Sequence, residues 1–273
     1  MAKGDLSLFC ALVILLVVTI FSIFPQYIAS EHFTHVDLSK RLAEPSLENI
    51  FGCDFVGRDV FSLIVWGSRI ALLICIVPTF IGAALGVSIG ILSGYVGGKT
   101  DDVIQRMVEI IVSFPGLLLS LTIINILGPG LWNAMWSVTI WRVMGFIRIT
   151  RSLTFTVKET GYVEWAKALG AGRAHVMFRH ILPNILTPII VQLTFSMPGT
   201  LLSVAGLSFL GLGANPPSPD WGVLMQQSRQ YLVYAPWAAF VPGIFIFFIS
   251  FAFNNIGEAF RDIVDPRAKY VRI

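Results

Sequence analysis

The chain has 273 residues, 55% of them hydrophobic and only 13% charged, which is too apolar for a soluble domain of this length. A formal net charge of +3 gives no footing for nucleic-acid binding. The three cysteines, Cys10, Cys53 and Cys75, lack both metal-ligand spacing and the even count of a disulfide framework, and read as small buried or lipid-facing side chains. Most of the mass is expected in lipid, where the placement of the charges says more than their sum.

Residues 6–30 carry no charge and are long enough to cross a bilayer. Their apolar core is too long for a signal peptide and no small-x-small site follows cleanly, so they read as a retained first span. Residues 31–69 form a polar interval whose charges lean acidic, as expected of an external segment. Within it Gly52, Asp54, Gly57, Arg58, Asp59 and Ser62 cluster. A glycine beside an Arg-Asp pair predicts a tight turn pinned by charge, structural rather than ligand-binding. His32 and His35, with Asp37 nearby, fall short of a coordination shell and read as solvated side chains.

Residues 70–98 make the second span, with Pro78 expected to kink it near its start. Gly82, Gly86, Gly90 and Gly94 recur every four residues and line one face, a pattern that permits close helix approach in lipid. Ser93 to Thr100 nearly mimics a phosphate-binding loop, but serine stands at its first glycine and a membrane helix precedes it. No ATP site is expected in this chain. A short cytoplasmic turn leads to Asp101, Arg106 and Glu109 on the first turns of a third span, with Arg106 spaced to pair with Asp102 or Glu109. Residues 110–141 are free of charge but too long for one span, and Gly128-Pro129-Gly130 breaks them into spans three and four around a small external turn. Arg142, Arg148 and Arg151 then mark the return to the cytoplasm.

The loop 150–184 carries the strongest basic bias in the chain. Its centre is residues 164–184, where Ala166, Lys167, Ala168 and Leu169 favour helix and Gly170 suits a left-handed helix end. A second short helix places Val176, Met177 and Ile181 on one side, and Pro183 stops it or opens the next span. Two short helices around Gly170 predict a compact knob able to press into a partner's groove. An ordinary basic loop and a helix-turn-helix share this outline, though flanking spans would hold the latter against the bilayer. Residues 185–213 form a fifth span interrupted by Pro188 and Pro198, with Gln192, Thr194, Ser196, Ser203 and Ser208 along it. Such a helix borders a watery path or makes interhelical hydrogen bonds. Residues 214–229 read as a proline-stiffened external loop with Trp221 as an interfacial anchor. Residues 230–257 form the sixth span, and Arg261, Arg267, Lys269 and Arg272 suit a cytoplasmic end.

These stretches carry a resemblance. Glu164, Ala166, Gly170, Leu182 and Pro183 resemble the loop by which importer-type ABC permeases are known, with Trp165 at its first small position. The ending Arg179-His-Ile-Leu-Pro-Asn184 is similar to the dipeptide, oligopeptide and nickel branch. Gly52 to Ser62 resembles that branch's Gly-Thr-Asp-x-x-Gly-Arg-Asp-x-x-Ser-Arg element, with Cys53 for Thr and Leu63 for Arg. Gly97 to Leu119 resembles its Gly-Gly-x-x-Asp … Met-Arg-x-x-Asp … Phe-Pro-x-Leu-Leu run, with Arg106-Met107 inverted and Glu109 for Asp. Two more elements fit. One is residues 208–222, with Gly211, Gly213 and Trp221. The other is the terminal run with Arg261, Asp262, Asp265 and Pro266, in which Glu258 replaces Asp.

The resemblance implies an all-α membrane protein of the ABC importer type I transmembrane fold. It would have six transmembrane helices and both termini in the cytoplasm. Residues 1–69 would hold the first helix and external segment, 70–258 the five-helix core, and 259–273 a cytoplasmic tail. The chain would be a non-enzymatic half of a pore importing dipeptides or oligopeptides, with nickel or a nickel chelate as the alternative cargo. Its partners would be a second, similar permease, two cytoplasmic ATPases, an external binding protein and the lipid bilayer, with no nucleic acid, cofactor or metal. Glu164, Ala166, Lys167, Gly170, Ala171, Arg179 and Pro183 would couple it to the ATPases. An ion-coupled secondary transporter is the other class, but it should bury ionisable residues at mid-membrane, and here they are expected at the span ends.

Overall fold

The computed structural model describes residues 2–264, and its described elements are helical apart from an isolated bridge between Cys53 and Asp59. The helices are α1 (Ala2–Ile23), α2 (Pro25–Ile28), α3 (Val60–Val96), α4 (Gly98–Val112), α5 (Gly116–Leu127) and α6 (Leu131–Lys158). There follow α7 (Gly161–Ala168), α8 (Arg173–His175), α9 (Leu182–Phe209), α10 (Trp221–Ser228) and α11 (Pro236–Val264). A π-helical stretch, Val176–Ile181, joins α8 to α9. It ends where Pro183, with no N–H to donate and a ring that crowds the carbonyl four residues back, occupies the first turn of α9. Pro183 therefore opens the fifth span rather than ending the knob.

Four stretches among the described residues are long and apolar enough to cross a membrane: Leu6–Ile23, Val60–Val96, Arg173–Phe209 and Pro236–Ile263. The expected third span is not one helix. α4 and α5 meet at an angle of 87° across Ser113-Phe114-Pro115, and together they count as a fifth, broken span. Pro115 cannot continue the ladder of α4 and instead caps α5. α6, with 28 residues, is long enough but too polar to qualify by composition, since Arg142, Arg148 and Arg151 all lie inside it. The helix itself runs on past Trp141 to Lys158, and Arg142 sits near its middle.

The second span also starts earlier than expected. Asp59 caps α3, accepting from the Ser62 backbone N–H at 2.8 Å, so Arg69 lies within the helix rather than in the external segment. α3 runs unbroken for 37 residues with Pro78 inside it, about 55 Å at 1.5 Å per residue. Its main partner is α6. A Cβ added at Gly82, Gly86, Gly90 or Gly94 would come within 2.5–2.8 Å of the Cβ of Arg142, Phe146, Thr150 or Thr154, in that order. The four-residue glycine period of one helix meets the four-residue period of the other, so the two backbones approach as closely as side chains on one of them allow.

α9 and α11 pack beside this pair, α1 covers α11 and α3, and α10 is wedged among α3, α9 and α11. Trp221 does not anchor at an interface. It is buried at the start of α10, its indole N–H donates to the Ile64 carbonyl at 3.3 Å, and Gly67 leaves it room. Thr79 and Thr200 share a hydrogen bond of 3.0 Å between α3 and α9.

Candidate functional site

Three places hold most of the residues that the sequence singles out, and the first is the segment between α6 and α9. α7 ends in a Schellman arrangement: the Ala171 N–H donates to the Ala166 carbonyl at 3.0 Å and the Gly170 N–H to the Lys167 carbonyl at 2.9 Å. Gly170 takes φ +86°, which a glycine adopts without a steric penalty. Ala166 and Ala171 are the two residues that the longer of these bonds joins, and both are half-buried.

One face of this hairpin is anchored. Val163, Val176 and Ile181 are fully buried in a cluster with Ile91 of α3, Phe146 of α6, and Ile185 and Ile189 of α9. The other face is open: Trp165 is 75% exposed, Leu169 86% and Phe178 68%. Glu164, Lys167 and Arg179 are exposed on the same segment, and the Lys167 ammonium lies 5.3 Å from the centre of the Tyr95 ring. Large apolar groups held outward on a rigid base are the features of a docking surface.

The second place is the turn before α3. The Asp54 carboxylate accepts from the backbone N–H groups of Val56 and Arg58, both at 2.9 Å, and from the Arg58 Nε at 2.7 Å. Both side chains are buried, and Arg58 Nη2 reaches on to donate to the side-chain Oε1 of Gln227 at 3.1 Å. Asp59 accepts from Asn49 at 3.2 Å as well as capping α3. Gly57 has φ +82°, and any Cβ there would overlap the Asp37 carbonyl; Gly52, at φ +69°, abuts Trp237. These groups close one folded corner, their polar atoms paired with one another.

The third place joins α3, α4 and α6 where α3 ends. Asp101 accepts from two Arg151 nitrogens, Nε at 2.6 Å and Nη2, and from the Ser93 hydroxyl, while Gln105 donates to Ser93 at 3.1 Å. Arg106 pairs with Glu109 at 3.2 Å, one of its two expected partners, in an exposed position. Asp101 lies in the first turn of α4, and its partner Arg151, fifty positions away, carries no signal in the sequence, because only helical spacings reveal a pair in advance. Elsewhere Gly211 ends α9 at φ +82°, and the Leu212 N–H donates to the Leu207 carbonyl as Ala171 does to Ala166. A Cβ on Gly213 would strike Ser208. Arg261 is exposed near the end of α11, and Asp262 also lies on that helix; Asp265 and Pro266 fall outside the described residues.

The family comparison decides between the classes left open. Residues 86–270 match the model of the binding-protein-dependent transport system inner membrane component. The chain belongs to this family. It is 39% identical to the dipeptide transport system permease protein DppC of Alkalihalophilus pseudofirmus, across 95% of this chain and 86% of that one. It is 37% identical to the glutathione transport system permease protein GsiD of Pectobacterium atrosepticum, across 89% and 80%. A chain of the MetNI methionine ABC transporter, in inward-facing conformations, superposes with a TM-score of 0.58 over 72% of this chain and 96% of that one. At 21% identity that likeness shows the ABC permease fold alone. This member of the inner membrane component family is therefore a multi-pass membrane protein and a permease subunit of the dipeptide and oligopeptide branch of ABC importers.

Proposed function

We propose that the chain forms half of the pore of an ATP-driven, binding-protein-dependent importer of dipeptides or oligopeptides. A second, similar permease supplies the other half, two ATPases dock inside, and a binding protein delivers solute outside. α6 is the span that composition alone does not qualify, which gives six spans with both termini in the cytoplasm. The names of the relatives, dipeptide and glutathione permeases, favour peptide over nickel. Belonging to this family also removes the support for an ion-coupled transporter.

The observation that carries the reading is the two-faced hairpin of residues 161–183. Its outer face offers Trp165, Leu169 and Phe178 to a groove on an ATPase, and its inner face is part of the same apolar cluster as α3, α6 and α9. Movement of the groove would be carried into those helices with little loss, because close-packed interiors transmit displacement. Glu164 and Arg179 flank the apolar patch and would set its register against charges on the ATPase.

The test is reconstitution of the four-subunit complex and binding protein in proteoliposomes. With Gly170→Val, ATP hydrolysis should persist while peptide uptake falls to background, with the complex still assembled. Uptake at the wild-type rate in that variant would overturn the coupling role.

A further inference from the structure

A cavity of about 230 Å³ opens between α5, α6 and α9, lined by Gly116, Ser120, Trp141, Arg142, Ser203 and Leu207 among others. Arg142 is the cation in its wall. It stands eleven residues after Leu131, about 16 Å along α6, too far in for its side chain to reach either end of the helix. Its Nε is buried with no hydrogen-bond partner, and no carboxylate pairs with it among the described residues. Gly199 of α9 makes room for the guanidinium, since a Cβ there would lie 2.8 Å from Nη2.

An unpaired cation at this depth is costly, and such residues in membrane helices mark solute or ion pathways. The fork of a guanidinium matches a carboxylate in two parallel hydrogen bonds. Ser120 adds a hydroxyl, the Ser203 hydroxyl is held by the Gly199 carbonyl at 2.7 Å, and Trp141 and Leu207 supply apolar wall. The space is smaller than the roughly 300–1,000 Å³ of a typical ligand pocket. It fits the end of a peptide rather than the whole of one.

We infer that Arg142 lines the translocation path and takes the C-terminal carboxylate of a peptide in transit. The inference rests on the peptide-importer reading above and names the residue that selects the cargo within the membrane. Gly199 is its positioning residue, holding open the space into which the guanidinium extends.

The experiment uses the complete complex in proteoliposomes with saturating binding protein. It compares uptake of dialanine with uptake of dialanine C-terminal amide. Capture by the binding protein affects wild type and variant alike, so the change in the ratio reports on the permease. Arg142→Gln should slow dialanine by about tenfold or more, as expected for a lost charge-assisted contact, and leave the amide near its wild-type rate. Arg142→Lys should restore part of the preference. Gly199→Val, whose bulk fills the space of the guanidinium without removing its charge, should reproduce the selective loss and serves if Arg142→Gln does not assemble. Equal slowing of both peptides would overturn the inference, pointing instead to a carboxylate of the second permease as the partner of Arg142. An unchanged ratio at unchanged rates would overturn it too. A wild-type complex that moves neither peptide would overturn the importer reading and this inference with it, and so is distinct from a failure of Arg142 alone.

Discussion

Gly82, Gly86, Gly90 and Gly94 contribute no side chain, and Arg142, Phe146, Thr150 and Thr154 fill the space so left. At Gly86 an added methyl would lie 2.5 Å from the Phe146 Cβ and 2.8 Å from the Val143 carbonyl oxygen, contacts that only a backbone shift relieves. Gly86→Ala should therefore destabilise the protein by about 1–3 kcal/mol. Gly206→Ala, where a Cβ meets nothing within 4 Å, should be neutral or slightly stabilising. Thermal unfolding of the two purified variants in one detergent makes the comparison. Cys53 gives a second expectation. Burial, with the Asp59 charge adding to it, pushes its thiol up to about 11 from 9.0. The folded state keeps this proton where an unfolded chain would release it, so the stability it contributes is present below pH 9 and lost as pH rises through 11. Alkylation of Cys53 by iodoacetamide should remain slow in folded protein at pH 9 and become fast on unfolding.

Among the helices, the glycine stripe was legible because its period is set by α3 alone. The break between α4 and α5 had its signal in Pro115-Gly116, yet the absence of charge through this region reads as continuity, and hydropathy does not report direction. Trp221 was misplaced for a related reason: aromatic residues near span ends favour interfaces on average, whereas Gly67 on α3 shapes a site for this one. The helical hairpin at Gly170 was read from propensity and glycine, and its geometry sharpens what a substitution should do. A Cβ on Gly170 meets nothing within 4 Å inside the chain. Gly170→Asn, which tolerates φ > 0, should leave uptake nearly intact. Gly170→Val, at a conformation costing about 1–2 kcal/mol for a residue with a Cβ, should distort the turn and abolish uptake. Uptake assays on both variants, with equal amounts in the membrane, separate backbone strain from a clash.

For the whole molecule, the arrangement of spans and external segments came from counting charge, which does not tell where a helix ends. Arg142 was read as the start of the cytoplasm because basic residues gather there, yet α6 continues to Lys158. The pairing of Asp101 with Arg151 was not legible at all, since no local pattern links fifty-residue separations. The orientation proposed here has a direct check. A single cysteine at Gly172, in a chain otherwise free of cysteine, should react with a membrane-impermeant maleimide only from the cytoplasmic side. One at Leu47, which is fully exposed, should react only from outside. The reverse pattern would invert the topology.

α3 has one more consequence. At about 55 Å it exceeds the roughly 30 Å thickness of bilayer hydrocarbon by some 25 Å. One uninterrupted shaft therefore starts at the Asp59 corner, where solute would arrive, and finishes at the Ser93–Asp101 junction near the motor's grip. A nudge at its outer tip and a tug at its inner tip act on one continuous helix, with Pro78 at its midpoint as the place where it can flex. Arrival of cargo and stroke of the engine would then stay in step without any relay of loops between them.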